Sequence, residues 1–369
     1  MKIVYVTDSA VNPESGGIAR ITYVMSEALR TLGYDVSVYY GQEDFVVYIQ
    51  KTGKCIILVQ SPCKFVQQVY ASKDALPEVK MVHVFHGTPG FELVPLRWDI
   101  TKYHLCHNIE RTWTLKQLCL QIGMALLPKK CFANLLRKKY SQPYGKADKI
   151  VVLSPGLIDQ YQTIAPGCRD SFMVIPNALS FEKVTLPKAK EKEVLVVARL
   201  EDWHKRISEI LEIWEEVQQD KQYGDWILRI VGDGVDKSYY EAFVQRKHIP
   251  NICFEGQQNS QPYYQRAGLF LMTSACEGWG LTITEAQQCG CVPILYDSFA
   301  SAKDIINSGK NGVLIANRDK AAYVEALKGL MTDDDLRKQM SEACVKSSER
   351  FSVENVATQW NELFHQLEP

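Results

Sequence analysis

Two glutamates, Glu277 and Glu285, lie eight positions apart in the segment SACEGWGLTITE, which runs from Ser274 to Glu285. A strand pattern precedes this segment, and a helical pattern follows it. A helix that begins near Gly280 would place both carboxylates toward one bound ligand. Because carboxylates accept the hydrogen bonds that sugars donate, we expect one glutamate to bind a transferred sugar and the other a ribose. The alternative is a pair of acids that stabilises a helix start around a tight turn.

The backbone of the same segment suits a phosphate. Gly280 allows the main chain to come close to a ligand, because glycine has no Cβ. At the start of the following helix, the amides of Leu281 and Thr282 would point toward a bound phosphate. The segment therefore predicts that these three residues take part in binding a phosphorylated donor.

Two cations, Arg199 and Lys205, lie six positions apart in VVARLEDWHKR, from Val196 to Arg206, at the end of a strand pattern. Breaking a bond to a nucleotide diphosphate leaves charge on the departing phosphate, and a metal or fixed cations must neutralise it. The acidic triplets of the chain do not resemble a strand-end metal site. We therefore expect Arg199 and Lys205 to supply the charge, with no divalent metal and no other cofactor. The alternative is two surface cations that happen to follow a strand.

Glycines follow two further strand patterns. Gly16 and Gly17 open the first helix after the first strand, where glycine lets backbone amides approach a phosphate. Gly232 begins a Gly-Asp-Gly loop at another strand end. We expect all three to contact the donor, although such glycines are often no more than turn residues.

One histidine, His86, stands at a strand end in the sequence VFHGT. Ligands of parallel sheets bind beyond the carboxyl ends of the strands, so His86 is placed to touch the transferred sugar or polarise a hydroxyl. The alternative is a histidine of the core.

Short apolar, β-branched runs alternate with helical patterns along the chain, as expected for parallel sheets covered on both faces. Predicted strands of the first half are 3–7, 35–40, 55–60, 81–85, 149–154 and 172–175. Those of the second half are 194–198, 226–231, 251–255, 269–273, 292–296 and 313–315. The pattern predicts an α/β fold of two doubly wound, Rossmann-like domains that face each other across a cleft. We place the domains at 1–180 and 193–350, the linker at 181–192, and a helix at 351–369 that packs back on the first domain.

The composition limits the classes of partner. The 369 residues carry a net charge of −1, which gives no overall attraction to nucleic acid. The chain starts without a signal-peptide pattern and has no run of about 18 apolar residues. Eleven cysteines without a C-x-x-C pair indicate reduced thiols. We therefore expect a cytoplasmic protein that binds no nucleic acid.

A long helical pattern from Glu110 to Tyr140 ends in a run of basic residues interleaved with leucines. Such a helix, over 126–140, could lie on an anionic membrane face or dock a lipid-linked acceptor. This would place the protein on the inner face of the plasma membrane. The alternative is a solvated helix whose lysines face outward.

Together these motifs resemble the GT-B glycosyltransferases, and among them the retaining enzymes of glycosyltransferase family 4. The resemblance covers most of the chain and rests on Gly-Gly-Ile near the start, Ile-Pro-Asn-Ala from Ile175, Ala-Arg-Leu, Lys205, Gly-Asp-Gly and CEGWGLTITE. The last motif is the most specific. Family members with this form of the motifs resemble bacterial enzymes that build capsule, lipopolysaccharide or other surface glycans.

The resemblance implies a role for each candidate residue. Gly17 and its neighbours would contact phosphate, Arg199 and Lys205 the diphosphate, Glu277 the donor sugar and Glu285 the ribose. His86 would lie near the far hydroxyls of the sugar. The reaction would transfer a hexose-type sugar from a nucleotide-diphosphate sugar to a hydroxyl of a glycan or lipid-linked acceptor. Retention in this family is attributed to front-face attack, in which the leaving phosphate helps to deprotonate the acceptor.

Four places depart from the family pattern. Ala198, Arg206 and Ala178 stand where glycine is common, and the loop Tyr296 to Ser301 lacks the frequent glycine pair. None of the three single changes removes a proposed contact, whereas the loop bears on the shape of the sugar pocket. The sequence also leaves open another GT-B enzyme, such as a nucleotide-sugar epimerase or a phosphorylase, and a binder of nucleotide sugars without activity.

Overall fold

The computed structural model describes residues 1–76, 78–90 and 129–368. These residues form two compact units. The first contains residues 1–90, the chain from 129 to Ser180, and Arg350 onward; the second contains Phe181–Glu349. Each unit is built on its own parallel sheet.

The sheet of the first unit has the strand order β2-β1-β3-β4-β5-β6. Its strands are β1 (Lys2–Val6), β2 (Asp35–Tyr39), β3 (Cys55–Ser61), β4 (Lys80–Phe85), β5 (Lys149–Val152) and β6 (Phe172–Val174). The helices are α1 (Gly17–Thr31), α2 (Phe45–Thr52), α3 (Val66–Ala71), α4 (Lys129–Lys146) and α5 (Pro155–Ile164). All residues of β3 are buried, which explains its uninterrupted apolar run.

The sheet of the second unit has the order β12-β11-β10-β7-β8-β9. Its strands are β7 (Glu191–Val197), β8 (Ile227–Val231), β9 (Ile252–Gly256), β10 (Ala267–Met272), β11 (Val292–Asp297) and β12 (Val313–Ala316). The chain runs outward from β7 to β9 on one side and from β10 to β12 on the other. The strand order therefore reverses between β7 and β10, where open α/β sheets bind their ligands.

Helices cover this second sheet and begin beyond the carboxyl ends of its strands. They are α6 (Asp202–Lys205), α7 (Ile207–Val217), α8 (Lys237–Lys247), α9 (Gln261–Arg266), α10 (Leu281–Gln288), α11 (Ala302–Ile305), α12 (Lys320–Thr332) and α13 (Asp334–Ser348). The core of the unit lies between the sheet and these helices, and Trp214 of α7 is fully buried in it.

The last helix, α14 (Val353–Leu367), belongs to the first unit. It packs on α1, which is near in space although more than 300 positions away in sequence. The Tyr34 hydroxyl donates to Asn361 over 2.6 Å, and the Tyr34 ring meets Phe364 edge to face. The end of the chain is thereby fixed to the unit that contains its beginning.

The predicted α/β class and its two doubly wound sheets are confirmed, and each of the twelve predicted strands is present within a few residues. Strand β7 begins at Glu191, inside the stretch predicted as linker. Of the predicted helix over 110–140, the part before residue 129 lies outside the described residues, and α4 extends to Lys146. No described helix is long and apolar enough to cross a membrane.

Gly232, at the end of β8, is required by close backbone packing. It has φ +138°, and a Cβ added there would lie 1.9 Å from the carbonyl oxygen of Ala198. We expect Gly232→Ala to lower the free energy of unfolding by about 3 kcal/mol or more, through backbone strain and overpacking. Denaturant unfolding measures the effect.

Gly329 offers a matched control. It lies in α12, and a Cβ added there meets nothing within 4 Å. Gly329→Ala should raise the free energy of unfolding by about 0.5–1 kcal/mol, because alanine favours the helix. Equal effects of the two substitutions would contradict this account of Gly232.

Candidate active site

The strand reversal in the second unit brings together two of the predicted residues, Lys205 and Glu277. Lys205 ends α6 just after β7, and Glu277 lies in the loop after the neighbouring strand β10. Their side chains form an ion pair with Nζ 2.5 Å from Oε1, and they are 16% and 13% exposed. The carboxyl edge of the sheet therefore holds a cation and a carboxylate, each with one small accessible face.

Hydrogen bonds between the two strand-end loops fix this pair. The Thr273 hydroxyl, at the end of β10, donates to the carbonyls of Lys205 and Arg206 over 3.0 and 2.9 Å. The amide of Ala275 donates to the carbonyl of His204 over 2.7 Å. The loop that carries the lysine and the loop that carries the glutamate therefore form one hydrogen-bonded structure.

His204 adds a further link to the same loops. Its Nε2 donates to the carbonyl of Cys276 over 2.8 Å, and its ring stacks on Trp203. Burial is the main cause that lowers the pKa of His204, and the nearby Lys205 cation lowers it further. We expect a neutral imidazole that acts here as a hydrogen-bond donor to the backbone.

The electrostatics keep Glu277 ionised. Burial alone would raise the pKa of its carboxyl group, but the charge of Lys205 and hydrogen bonds from Lys205 and Ser274 outweigh it. The pKa therefore lies below its ordinary value. An ionised carboxylate in this place accepts hydrogen bonds and cannot donate them, which suits it to bind hydroxyl groups.

Arg206 explains one departure from the family pattern. It links α6 to α7 with φ 50°, a left-handed conformation that favours glycine. Its buried guanidinium donates to Asn317 over 2.9 Å and lies 3.9 Å from Glu209. The arginine therefore tolerates an unfavourable backbone conformation while its side chain connects the Lys205 loop to the far edge of the sheet.

The start of α10 has the geometry expected for an anion site. Gly280 is the N-cap residue with φ 92°, and a Cβ there would lie 2.7 Å from Ile283. Among the described residues, the amides of Leu281 and Thr282 have no hydrogen-bond acceptor. Two unsatisfied N–H groups at a helix start favour a negatively charged ligand.

Glu285 lies deeper than the other candidates. It sits in the second turn of α10 and is 1% exposed. Burial and then the charge of Glu285 raise the pKa of the buried Tyr264 hydroxyl well above its ordinary value. The carboxylate thus lies beside Tyr264 of α9, and its contact with a ribose stays a prediction.

Arg199 and Gly232 occupy the neighbouring strand ends. Arg199 is 64% exposed, with NH1 3.6 Å from Glu201, so its guanidinium can reach a ligand. The amide of Gly232 donates to the carbonyl of Gly256 over 2.7 Å. What glycine provides at position 232 in this structure is close packing on Ala198, and its contact with the donor stays a prediction.

The loop after β11, which lacks the frequent glycine pair, uses serines instead. The Ser298 hydroxyl donates to the carbonyl of Ser274 over 2.6 Å, and that of Ser301 donates to the carbonyl of Trp279 over 3.0 Å. Both bonds connect this loop to the segment that carries Glu277. No pattern in the sequence indicates these contacts, nor those of Thr273 and His204.

The remaining candidates lie in the first unit. Gly16 is the N-cap residue of α1 and Gly17 its first residue. His86 follows β4; its amide donates to the carbonyl of Ser61 over 3.1 Å, and its Nε2 lies 2.6 Å from Oε1 of Gln60. Burial lowers the pKa of His86 to about 4, so its ring is neutral near pH 7.

No group of three or more His, Cys, Asp or Glu side chains in the described parts of the chain is arranged to hold a metal ion. The charged groups at the strand reversal include the Lys205–Glu277 pair and the nearby Arg199. Their chemistry fits the phosphates and hydroxyls of a ligand better than it fits a divalent cation.

The α/β fold of the two units is similar to that of solved GT-B glycosyltransferases. HepE from Anabaena, solved with UDP, superposes with a TM-score of 0.73 at 17% identity, covering 99% of this chain and 100% of that one. S. aureus TarM, solved with UDP and alpha-GlcNAc-glycerol, gives a TM-score of 0.65 at 20% identity over 86% of this chain and 58% of its own. These likenesses establish the fold.

Sequence comparison relates the second unit to known glycosyltransferases. Residues 179–346 match the family model of glycosyl transferases group 1. The amylovoran biosynthesis glycosyltransferase AmsD of Erwinia amylovora is 25% identical over 178 residues, 48% of this chain and 49% of AmsD. The chain thus spans about half the length of this curated relative. The resemblance to GT-B glycosyltransferases is confirmed, while membership of family 4 stays a prediction.

The Lys205–Glu277 pair should show strong energetic coupling. Removing one partner leaves a largely buried charge alone, so Lys205→Met and Glu277→Gln should each lower the free energy of unfolding by about 3–5 kcal/mol. The double variant should recover much of this loss. Denaturant unfolding of the wild type, the two single variants and the double variant gives the coupling energy. If the losses of the two single variants simply add in the double variant, the two side chains are not coupled. The control is the exposed pair Lys247–Glu215, 3.3 Å apart, with a coupling of about 0–1 kcal/mol.

The same carboxylate makes stability depend on pH. Because the pKa of Glu277 is lower in the folded chain than its ordinary 4.5, its contribution is fully present above about pH 4.5. The contribution is lost as the pH falls toward the folded pKa. The stability difference between wild type and Glu277→Gln should therefore shrink in acid, which unfolding at a series of pH values measures. A difference that grows in acid would show that Glu277 is not stabilised as an anion.

Proposed function

We propose that this protein is a retaining glycosyltransferase. It transfers a hexose-type sugar from a nucleotide-diphosphate sugar to a hydroxyl of a glycan or lipid-linked acceptor, in the synthesis of a bacterial surface polysaccharide. The observation that carries the proposal is the Lys205–Glu277 pair at the strand reversal of the second unit. A cation beside a carboxylate suits a ligand that has a diphosphate next to a sugar.

The proposed chemistry assigns the negative charge of the leaving group to fixed cations. As the bond from the sugar to the diphosphate breaks, charge develops on the phosphate oxygen. Lys205, the exposed guanidinium of Arg199 and the amides of Leu281 and Thr282 can stabilise that charge without rearranging. We therefore propose a reaction that needs no divalent metal.

Glu277 holds the transferred sugar in this proposal. Its carboxylate is ionised and already oriented by Lys205 and Ser274. Hydroxyls of the sugar donate to it, with each charge-assisted bond contributing about 1.5–3 kcal/mol. Because the glutamate is held by groups that also bind the phosphate, the sugar and the leaving group are positioned by one rigid structure.

Retention is supported by the chemistry of the relatives. The TarM complex contains UDP together with an alpha-linked GlcNAc-glycerol. Common nucleotide sugars such as UDP-glucose carry an alpha linkage, so an alpha product means that the configuration is kept. We propose the same outcome here, with the leaving phosphate oxygen accepting the proton of the acceptor hydroxyl.

The surface of α4 supports a lipid-linked acceptor on the cytoplasmic face of a membrane. Arg137, Lys138 and Lys139 are exposed, and so is Leu135, whereas Leu136 is buried. A basic surface with an exposed leucine suits an anionic membrane, where each cation contributes about 1 kcal/mol. The name of AmsD, which specifies amylovoran biosynthesis, supports a polysaccharide pathway.

The experiment is a turnover assay with a panel of nucleotide sugars and bacterial glycan or lipid-linked acceptors, with EDTA present. We expect one donor to give an alpha-linked product, identified by NMR. Lys205→Met and Glu277→Gln should lower kcat by about 100-fold or more, and Lys247→Met should match wild type.

Conversion of the donor without acceptor would indicate an epimerase, and dependence on inorganic phosphate a phosphorylase. If a nucleotide sugar binds tightly but no combination of donor and acceptor is turned over, the protein binds nucleotide sugars without being an enzyme. Loss of activity in EDTA would exclude the metal-free reaction.

A further inference from the structure

The first unit contains a cavity of about 150 Å³ at the carboxyl ends of β3 and β4. Ser61, the last residue of β3, and Phe85, the last residue of β4, both line it, and side chains of α3, α4 and α5 complete its walls. An engineered apolar cavity of about 150 Å³ in another protein binds one benzene molecule. This cavity therefore has room for one six-membered ring, at the sheet edge where parallel sheets bind their ligands.

Two buried polar side chains, Tyr70 of α3 and His83 of β4, line this cavity. Each of them is 4% exposed. The Tyr70 hydroxyl lies 2.6 Å from Nδ1 of His83. Burial is the main cause that lowers the pKa of His83 to about 3, so its ring is neutral near pH 7. The wall of the cavity therefore contains an uncharged hydrogen-bonding group.

The second ring nitrogen of His83 is left for a ligand. Among the described residues, Nε2 has no hydrogen-bond partner. Nε2 donates a proton if the Tyr70 hydroxyl donates to Nδ1, and it accepts one if that hydroxyl accepts. A ligand hydroxyl satisfies Nε2 in both cases, since it can donate and accept. A purely apolar ligand would leave this buried nitrogen unsatisfied, which weakens binding.

Aromatic rings form another part of the wall. Phe85, Tyr140 and Tyr161 all line the cavity and pack on one another, with ring centroids 5.0, 5.5 and 5.6 Å apart. Gln67 and Gln142, whose amides are joined by a hydrogen bond of 2.7 Å, line it as well. Aromatic surface with a few amide and imidazole groups suits a sugar ring, because such a ring has apolar C–H faces and polar edges.

The charge at this cavity favours an anionic ligand. Lys139 of α4 lines the cavity, and its charge contributes to lowering the pKa of His83, so the two side chains lie near each other. No Asp or Glu is among the described residues that line the cavity. The neighbouring Arg137 and Lys138 are exposed but do not line it. A carboxylate or phosphate group of a ligand would therefore lie beside Lys139.

We propose that this cavity binds one sugar ring that carries a carboxylate or phosphate group. The ring packs against Tyr140 and Tyr161, one hydroxyl bonds Nε2 of His83, and the anionic group pairs with Nζ of Lys139. A free sugar acid or sugar phosphate and the end of an acidic glycan share this chemistry. The proposal goes beyond the transfer reaction, because it concerns binding by the first unit alone and needs no donor.

The first test is a titration of the full chain, labelled with ¹⁵N-histidine, with glucuronate, glucose 6-phosphate, glucose and inorganic phosphate. Long-range ¹H–¹⁵N spectra follow the ring nitrogens, and His83→Gln identifies the signals of His83. We expect a saturable shift of the Nε2 signal with an anionic sugar, binding of glucose weaker by about tenfold or more, and no shift with phosphate. No saturable shift with either anionic sugar, equal affinity for glucose, or the same shift with inorganic phosphate would overturn the proposal.

The second test compares two neighbouring lysines of α4. Lys139→Met should lower the affinity for the anionic sugar about tenfold, whereas Lys138→Met, the matched control, should bind as wild type does. Equal affinities of the two variants would overturn the role of Lys139.

A third variant fills the cavity. Val66 lines it, so Val66→Trp should abolish binding while circular dichroism shows that the fold is retained. Binding that survives in the folded variant would place the ligand elsewhere. If this variant does not fold, the lysine pair decides the proposal.

A hyaluronan tetrasaccharide with a terminal glucuronate distinguishes the two sources of ligand. Tighter binding of the tetrasaccharide than of glucuronate would identify the end of a glycan, and the reverse would identify a free sugar acid; both results support the site. None of these measurements uses turnover. Failure of the proposed transferase function would therefore leave the binding result unaffected, and absence of binding would leave the transferase proposal unaffected.

Discussion

The pairing of Lys205 with Glu277 is the interaction on which the rest of the site depends. Two opposite charges that are mostly buried are stable only when each has the other and when hydrogen bonds satisfy what remains. Ser274 donates such a bond to the glutamate, and backbone bonds from Thr273 and Ala275 hold the two loops together. A site of this kind is organised before a ligand arrives, which is what stabilising a developing charge requires.

The positions around this pair follow from the need to bring backbone segments close together. Gly232 allows the loop after β8 to touch Ala198 beside Arg199. Gly280 leaves room at the start of α10 for the side chain of Ile283. Arg206 has a left-handed backbone without being glycine, and its side chain binds Asn317. These three residues with special backbone conformations lie beyond the carboxyl ends of the strands, where the ligand would lie.

Much of this could be predicted from the sequence, because its signals are local. Apolar runs such as β3 indicate buried parallel strands, and Glu277 and Lys205 stand at strand ends that the pattern already shows. The contacts between distant segments could not be predicted. Lys205 and Glu277 are 72 positions apart, and only the strand order makes them neighbours. Gln60 appears in the sequence as one more residue of a buried strand, with nothing to relate it to His86.

Binding of UDP, which HepE and TarM hold in their structures, would show whether Lys205 and Glu277 form part of a diphosphate site. Calorimetry in EDTA would compare wild type with Lys205→Met and with the surface variant Lys247→Met. We expect binding without metal, a loss of affinity of about tenfold or more for Lys205→Met, and none for Lys247→Met. Binding of UDP that requires a divalent metal, or that is unchanged by Lys205→Met, would contradict a diphosphate site built on the Lys205–Glu277 pair.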